Sequence, residues 1–107
     1  MQDARELAKE AFDHLANDRL AEAVARYREA LDVDPRLSIA WNGLAMALAR
    51  QEDLEGAIEA AKKLVELEPD EPLGHTSLSI FYQRLGRIAE AEDEKALATR
   101  LTMKQQR

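Results

Sequence analysis

The apolar positions of this chain follow two superimposed rhythms. The short one is helical. Leu20, Ala23, Val24, Tyr27, Ala30 and Leu31 follow one another at steps of three and four, the stripe that one face of an α-helix presents. Similar stripes fill the chain between breakers and predict six helices, near residues 3–16, 20–33, 37–50, 54–67, 72–85 and 88–105. Strong breaks fall at Asp34-Pro35 and from Glu68 to Pro72, where proline ends a helix. Weaker turns fall at Asn17-Asp18-Arg19, Gln51-Glu52-Asp53 and Leu85-Gly86-Arg87. Connections this short force consecutive helices to pack as antiparallel pairs.

The long rhythm has a period of 34. Pro35 and Pro69 are that far apart, as are Ala23, Ala57 and Ala91, then Leu20, Leu54 and Ile88, then Val33, Leu67 and Leu101. One helix pair is therefore copied three times. Such a unit cannot bury its apolar face alone, so its neighbours supply the core. The middle copy carries Trp41, Leu44 and Ala45, then Ala57, then Pro69. This pattern resembles the tetratricopeptide repeat, whose first helix carries a tryptophan followed by leucine and a small residue, whose second carries an alanine, and whose end is a proline. With repeats taken as about 4–37, 38–71 and 72–105, the first contributes Leu7, Ala11, Ala23, Tyr27, Ala30 and Pro35, and the third Leu78, Ser79, Tyr82, Ala91 and Ala98. Small residues at 11, 45 and 79 and at 23, 57 and 91 allow close helix crossing. The third repeat departs from the pattern, with His75 where Trp41 stands and Lys95 where Tyr27 stands.

The resemblance implies an all-α fold: a right-handed α–α superhelical solenoid of three helix pairs, the last helix extended, forming one domain over residues 1–107. The two ends differ from the middle. Ala40, Leu44 and Ala47, and Gly74, Leu78 and Phe81, are placed to meet the preceding repeat, while their counterparts in repeat one are Glu6, Glu10 and Asp13. Val24 and Leu31, and Ile58 and Val65, are placed to meet the following repeat, while their counterparts in repeat three are Glu92 and Thr99. These substitutions predict an array that stops at three repeats with polar ends. Lys104 and Arg107 sit where cations favour the dipole of the last helix.

Composition narrows the chemistry. With no cysteine there is no disulfide, thiol nucleophile or cysteine zinc site. The formal net charge of −6 argues against a nucleic-acid binder. The longest mostly apolar stretch, from Leu37 to Ala49, is too short to span a bilayer, and the charged start MQDARELAKE lacks the apolar core of a secretion signal. The default compartment is the cytoplasm. The 21 acidic residues read as solvated helix faces rather than as catalytic pairs. His14 and His75 lie two repeats apart with no spacing for a metal, the four glycines form no phosphate loop, and Ser38, Ser77 and Ser79 lack a base. No enzyme, cofactor or metal is expected.

What remains is a surface. The resemblance implies that the first helices line a concave groove. It assigns to that groove Arg5, Ala8, Lys9, Phe12 and Ala16 from repeat one. Repeat two gives Ile39, Asn42, Gly43, Met46, Ala49 and Arg50, and repeat three gives Leu73, Thr76, Ser77, Ile80, Gln83 and Arg84. None of these is acidic. Phe12, Met46 and Ile80 are equivalent and form an apolar column, extended by Ile39 and Leu73, with hollows at Ala8 and Gly43 and basic groups along the edge. The family's chaperone adaptors hold an acidic tail with a clamp of Lys, Asn, Asn, Lys and Arg. The matching positions here, Ala8, Phe12, Gly43, Leu73 and Ser77, carry none of them. The expected function is a non-enzymatic adaptor or scaffold module binding a peptide or amphipathic helix with apolar anchors and some acidic groups. The alternative is self-assembly through the groove or the last helix. The partner is another protein or peptide, not nucleic acid, and the chain itself is a monomer, with a homo-oligomer as the alternative.

Overall fold

A computed structural model describes residues 2–106. Met1 lies outside them, as does Arg107, one of the two cations expected to favour the end of the last helix. Among the described residues six helices follow one another: α1 (Ala4–Ala16), α2 (Leu20–Val33), α3 (Ser38–Arg50), α4 (Leu54–Leu67), α5 (Pro72–Arg84) and α6 (Ile88–Gln105). The packed pairs are α1 with α2, α3 with α4, α5 with α6, and then α2 with α3 and α4 with α5; α1 also reaches α3. That nearest-neighbour pattern belongs to a superhelical array. The chain measures 41 × 31 × 20 Å with a radius of gyration of 14.0 Å, slightly above the ~13 Å of a compact domain this size.

Local chemistry accounts for the helix boundaries. Asp3 caps α1 by accepting from the Glu6 amide at 2.8 Å, and Asp53 caps α4 by accepting from the Gly56 amide at 3.0 Å. Pro72 occupies the first position of α5, where its missing N–H costs nothing. The three turns inside the pairs share one geometry. Asp18, Glu52 and Gly86, spaced by 34, all have left-handed backbone, with φ of 60°, 65° and 79°. In each, the next residue's amide bonds back five residues, Arg19 to His14, Asp53 to Leu48 and Arg87 to Tyr82, as in a Schellman helix end. Only the third turn uses the residue with no Cβ to strain there.

The crossings are as tight as the small residues imply. Ala11, Ala23 and Ala57 are 0% exposed and Ala45 is 1% exposed. In the third pair Ser79 stands at the crossing, and its hydroxyl donates to the Ala91 carbonyl at 2.9 Å. Between repeats, α5 presses Gly74 against Val65 of α4, so closely that a Cβ on Gly74 would lie 2.7 Å from Val65 Cγ2. The two outer faces are wet. Glu6, Asp13, Glu92 and Thr99 are exposed, and Glu10 is half-buried and ion-paired with Arg26 at 3.5 Å. At the start of α1 the Glu6 carboxyl is pushed above its usual range, first by the neighbouring Asp3 carboxylate, with Glu10 adding to it.

Candidate functional site

The side chains at the ninth position of each repeat point off the packing faces. Phe12 is 59% exposed, Met46 40% and Ile80 51%; Ile39 and Leu73 are also more than half exposed. Their backbone positions follow from the pairing, since Ala11 and Ala45, one residue earlier, are buried against the partner helices.

The expected groove residues do not share one hollow. Arg5, Ala8, Lys9, Phe12, Ile39, Asn42, Gly43 and Met46 surround one hollow of about 320 Å³ between α1 and α3, with Leu15 and Tyr27 beneath it. Thr76, Ile80 and Gln83 line a different hollow of about 410 Å³ that α5 shares with α6, bounded by Ser79, Lys95, Thr99, Thr102 and Met103. Leu73, Ser77, Arg50 and Arg84 line neither.

Two expectations are refined. The first concerns Gly43, which borders the hollow as expected, while the space of its missing side chain is filled. The Tyr27 ring of α2 occupies it, so that a Cβ at Gly43 would meet Tyr27 Cζ at 2.1 Å. Tyr27 is 3% exposed, and burial pushes its phenol above the usual range, so it stays protonated. Tyr27 therefore forms the base of the hollow, a role hidden in the sequence because Ala61 and Lys95 stand at its counterparts. A glycine one helix away from an unmatched large ring was the available signal.

The second concerns Arg50 and Arg84, expected as basic groups along the edge. Both are exposed, and each also reaches back one repeat. Arg50 Nη1 donates to the Leu15 carbonyl at 3.2 Å, and Arg84 Nη1 donates to the Ala49 carbonyl at 3.5 Å. Arg84 Nη2 also holds both Glu52 carboxylate oxygens at 2.8 Å. The carbonyls at a helix C-terminus lack intrahelical donors and carry partial negative charge, which is what draws a guanidinium there. The basic groups left at the hollow are Arg5 and Lys9, both exposed and neither in an ion pair among the described residues.

The two histidines have separate partners. His14 Nδ1 accepts from Arg19 Nε at 2.9 Å. His75 Nδ1 lies 2.5 Å from Glu94 Oε2, so it replaces the packing of Trp41 with a polar contact. Among the described residues no three His, Cys, Asp or Glu side chains gather as a metal site requires, and no helix is long and apolar enough to cross a membrane.

A tetratricopeptide repeat model matches residues 8–72, more than half of the chain and every residue lining the α1–α3 hollow except Arg5. The chain belongs to the tetratricopeptide repeat family. Curated relatives of this tetratricopeptide chain include the peroxisomal targeting signal receptor of Kluyveromyces lactis, 31% identical over 78 residues, which are 73% of this chain and 14% of that protein. The STIP1 homolog of Dictyostelium discoideum is 33% identical over 70 residues, 65% of this chain and 12% of that one. The chain thus spans a small fraction of the relatives it matches. Among solved structures, that of MamA superposes with a TM-score of 0.94 at 18% identity, over 96% of this chain and 60% of that one. The first TPR of Spaghetti (RPAP3), bound to the HSP90 peptide SRMEEVD, superposes with a TM-score of 0.88 at 19% identity, over 94% and 79%. At such identities the likeness establishes the fold. Tetratricopeptide repeats are generally non-enzymatic protein-interaction modules.

Proposed function

We propose that the face built by α1, α3 and α5 binds a peptide or amphipathic helix of a partner protein, through apolar anchors and with some acidic groups. The observation that carries this reading is the exposure of Phe12, Met46 and Ile80, three large apolar side chains left in water at equivalent positions. Contiguous apolar surface rimmed by polar groups is the usual mark of a docking site, and a methionine at its centre adapts to varied partners. The α1–α3 hollow supplies a seat for one anchor, with Tyr27 below and Arg5 and Lys9 beside it. Those two cations, on a face without a groove carboxylate, favour a guest with negative charge. The peptide in the complex of the first TPR of Spaghetti includes acidic residues, which is consistent with this chemistry. The binding clamp of the chaperone adaptors is not inherited, so the recognised sequence differs. The same reading makes the chain an adaptor or scaffold rather than an enzyme.

The test selects binders from a random peptide library on the immobilised protein and measures their affinity against Met46→Glu. Selected peptides should carry apolar residues at helical or alternating spacing together with acids. Met46→Glu should weaken them by about 2 kcal/mol, roughly 30-fold, with unchanged helicity. Unchanged affinity would place binding on another surface. A molecular mass that rises with concentration in the native chain, and not in Met46→Glu, would give the face to a second copy instead.

A further inference from the structure

The third repeat leaves open, beside Pro69, the place that an indole occupies beside Pro35 in the second. In repeat two, Trp41 lies against the turn that joins repeats one and two, and its indole Nε1 donates to the Pro35 carbonyl at 2.8 Å. In repeat three the equivalent residue is His75, and Glu94 stands where repeat two has Ala60. The imidazole turns to that carboxylate, at 2.5 Å. The space beside Pro69, the counterpart of Pro35, stays open. A hollow of about 480 Å³ lies there, lined by Pro69, His75, Leu97, Leu101 and Met103 and flanked by Arg100 and Lys104.

The other walls have changed in step. Leu97 stands where repeat two has Lys63, so the surface beneath the opening is apolar rather than charged. Whereas α4 ends at Leu67, α6 continues past the equivalent Leu101 to Gln105, and this extension supplies the far wall. Gln105 Nε2 donates to the Asp70 carbonyl at 3.3 Å, tying that wall to the turn. Leu97 is 37% exposed and Met103 64% exposed, apolar groups left in water. Arg100 and Lys104 enter no ion pair among the described residues, in a chain whose formal net charge is −6.

We propose that this notch is a second binding site, separate from the face of the first helices, that takes an aromatic side chain of a partner protein, an indole above all, with a carboxylate next to it. The molecule itself shows the fit: repeat two holds an indole in the equivalent place and gives its N–H a proline carbonyl. An indole is flat and apolar with one donor, and needs an apolar seat with one acceptor. Pro69 offers the carbonyl, Leu97, Leu101 and Met103 the seat, and the two cations select for the neighbouring carboxylate.

The test is an NMR titration of the isotope-labelled chain with three probes: N-acetyl-tryptophan, N-acetyl-tryptophanamide and N-acetyl-leucine. N-acetyl-tryptophan should shift the amide signals of Leu97, Leu101 and Lys104. The amide, which lacks the carboxylate, should shift them less, and the leucine probe least. His75→Trp fills the notch with the chain's own indole and should abolish the response. Leu97→Lys restores the residue of repeat two at an exposed site and should remove most of it without disturbing the His75–Glu94 contact. Absence of shifts with all three probes, or shifts that persist in both variants, would overturn the proposal. So would shifts confined to Phe12 and Met46, which would assign the ring to the other face. Because Met46→Glu leaves the notch untouched, failure of either site leaves the other separately measurable.

Discussion

Repeats two and three are built on the same backbone period and put it to different uses. In repeat two, α4 buries Leu54, Ala57, Ile58, Ala60, Ala61 and Leu64, and Trp41 closes the side of the pair. In repeat three, α6 is four residues longer yet buries only Ala91 and Ala98. The difference is a matter of neighbours. Repeat two is covered on both sides, so each apolar residue added there is repaid by burial. Repeat three is covered on one side, and Glu92, Lys95 and Thr99 occupy the uncovered one. The middle of the array concentrates buried apolar side chains, whereas the last helix buries few. A single core energy assigned to every repeat would miss this division.

The comparison breaks most directly at the crossings. Ala57→Leu should cost up to about 3 kcal/mol, because the site is 0% exposed and both flanking repeats restrain it. Ala91→Leu, at the equivalent place of the looser pair, should cost clearly less. Equal shifts in the two denaturation midpoints would show that repeat three is as rigid as repeat two. Next in size is Trp41→His, which gives repeat two the side chain of repeat three. Losing the half-buried ring and its bond to Pro35 should cost about 2 kcal/mol. An unaltered melting curve would mean that the indole contributes nothing to the pair.

Much of this architecture was legible in the chain, and the reason is physical. Helix boundaries follow from apolar period, prolines and caps, which act within a few residues, and the 34-residue spacing carries them from one repeat to the next. The exposure of Phe12, Met46 and Ile80 followed from their phase relative to Ala11, Ala45 and Ser79. What escaped were the destinations of long or partnered side chains. Arg50 and Arg84 bond to carbonyls 35 residues back, Tyr27 enters the space of a glycine on another helix, and His75 chooses Glu94 across its pair. Each depends on two segments meeting at a distance that periodicity alone does not supply.

Smaller effects sharpen the picture. Arg84→Gln removes a two-oxygen ion pair and a carbonyl contact between repeats two and three. Both partners are substantially exposed, so the loss should be about 0.5–1 kcal/mol and should shrink in high salt. A loss that ignores salt would assign the contribution to packing of the arginine stem. The smallest change is a gain. Asp18→Gly places the residue of the third turn in the first, where φ is 60°. Relief of left-handed strain, partly offset by the freedom of glycine when unfolded, should raise stability by about 0.5 kcal/mol, a melting shift of roughly 2–4 °C. A lower melting temperature would show that Asp18 contributes more through its side chain than its backbone costs.

The backward reach of Arg50 and Arg84 has a mechanical meaning. Each guanidinium ties the C-terminal end of one first helix to the C-terminal end of the first helix before it, and among the described residues no arginine is bonded across the opposite ends. Successive first helices are thus pinned along one edge, like the ribs of a fan held at the rivet. Splaying the ribs to admit a bulkier guest becomes a rotation about the pinned edge, with the ties intact, rather than a separation of the repeats.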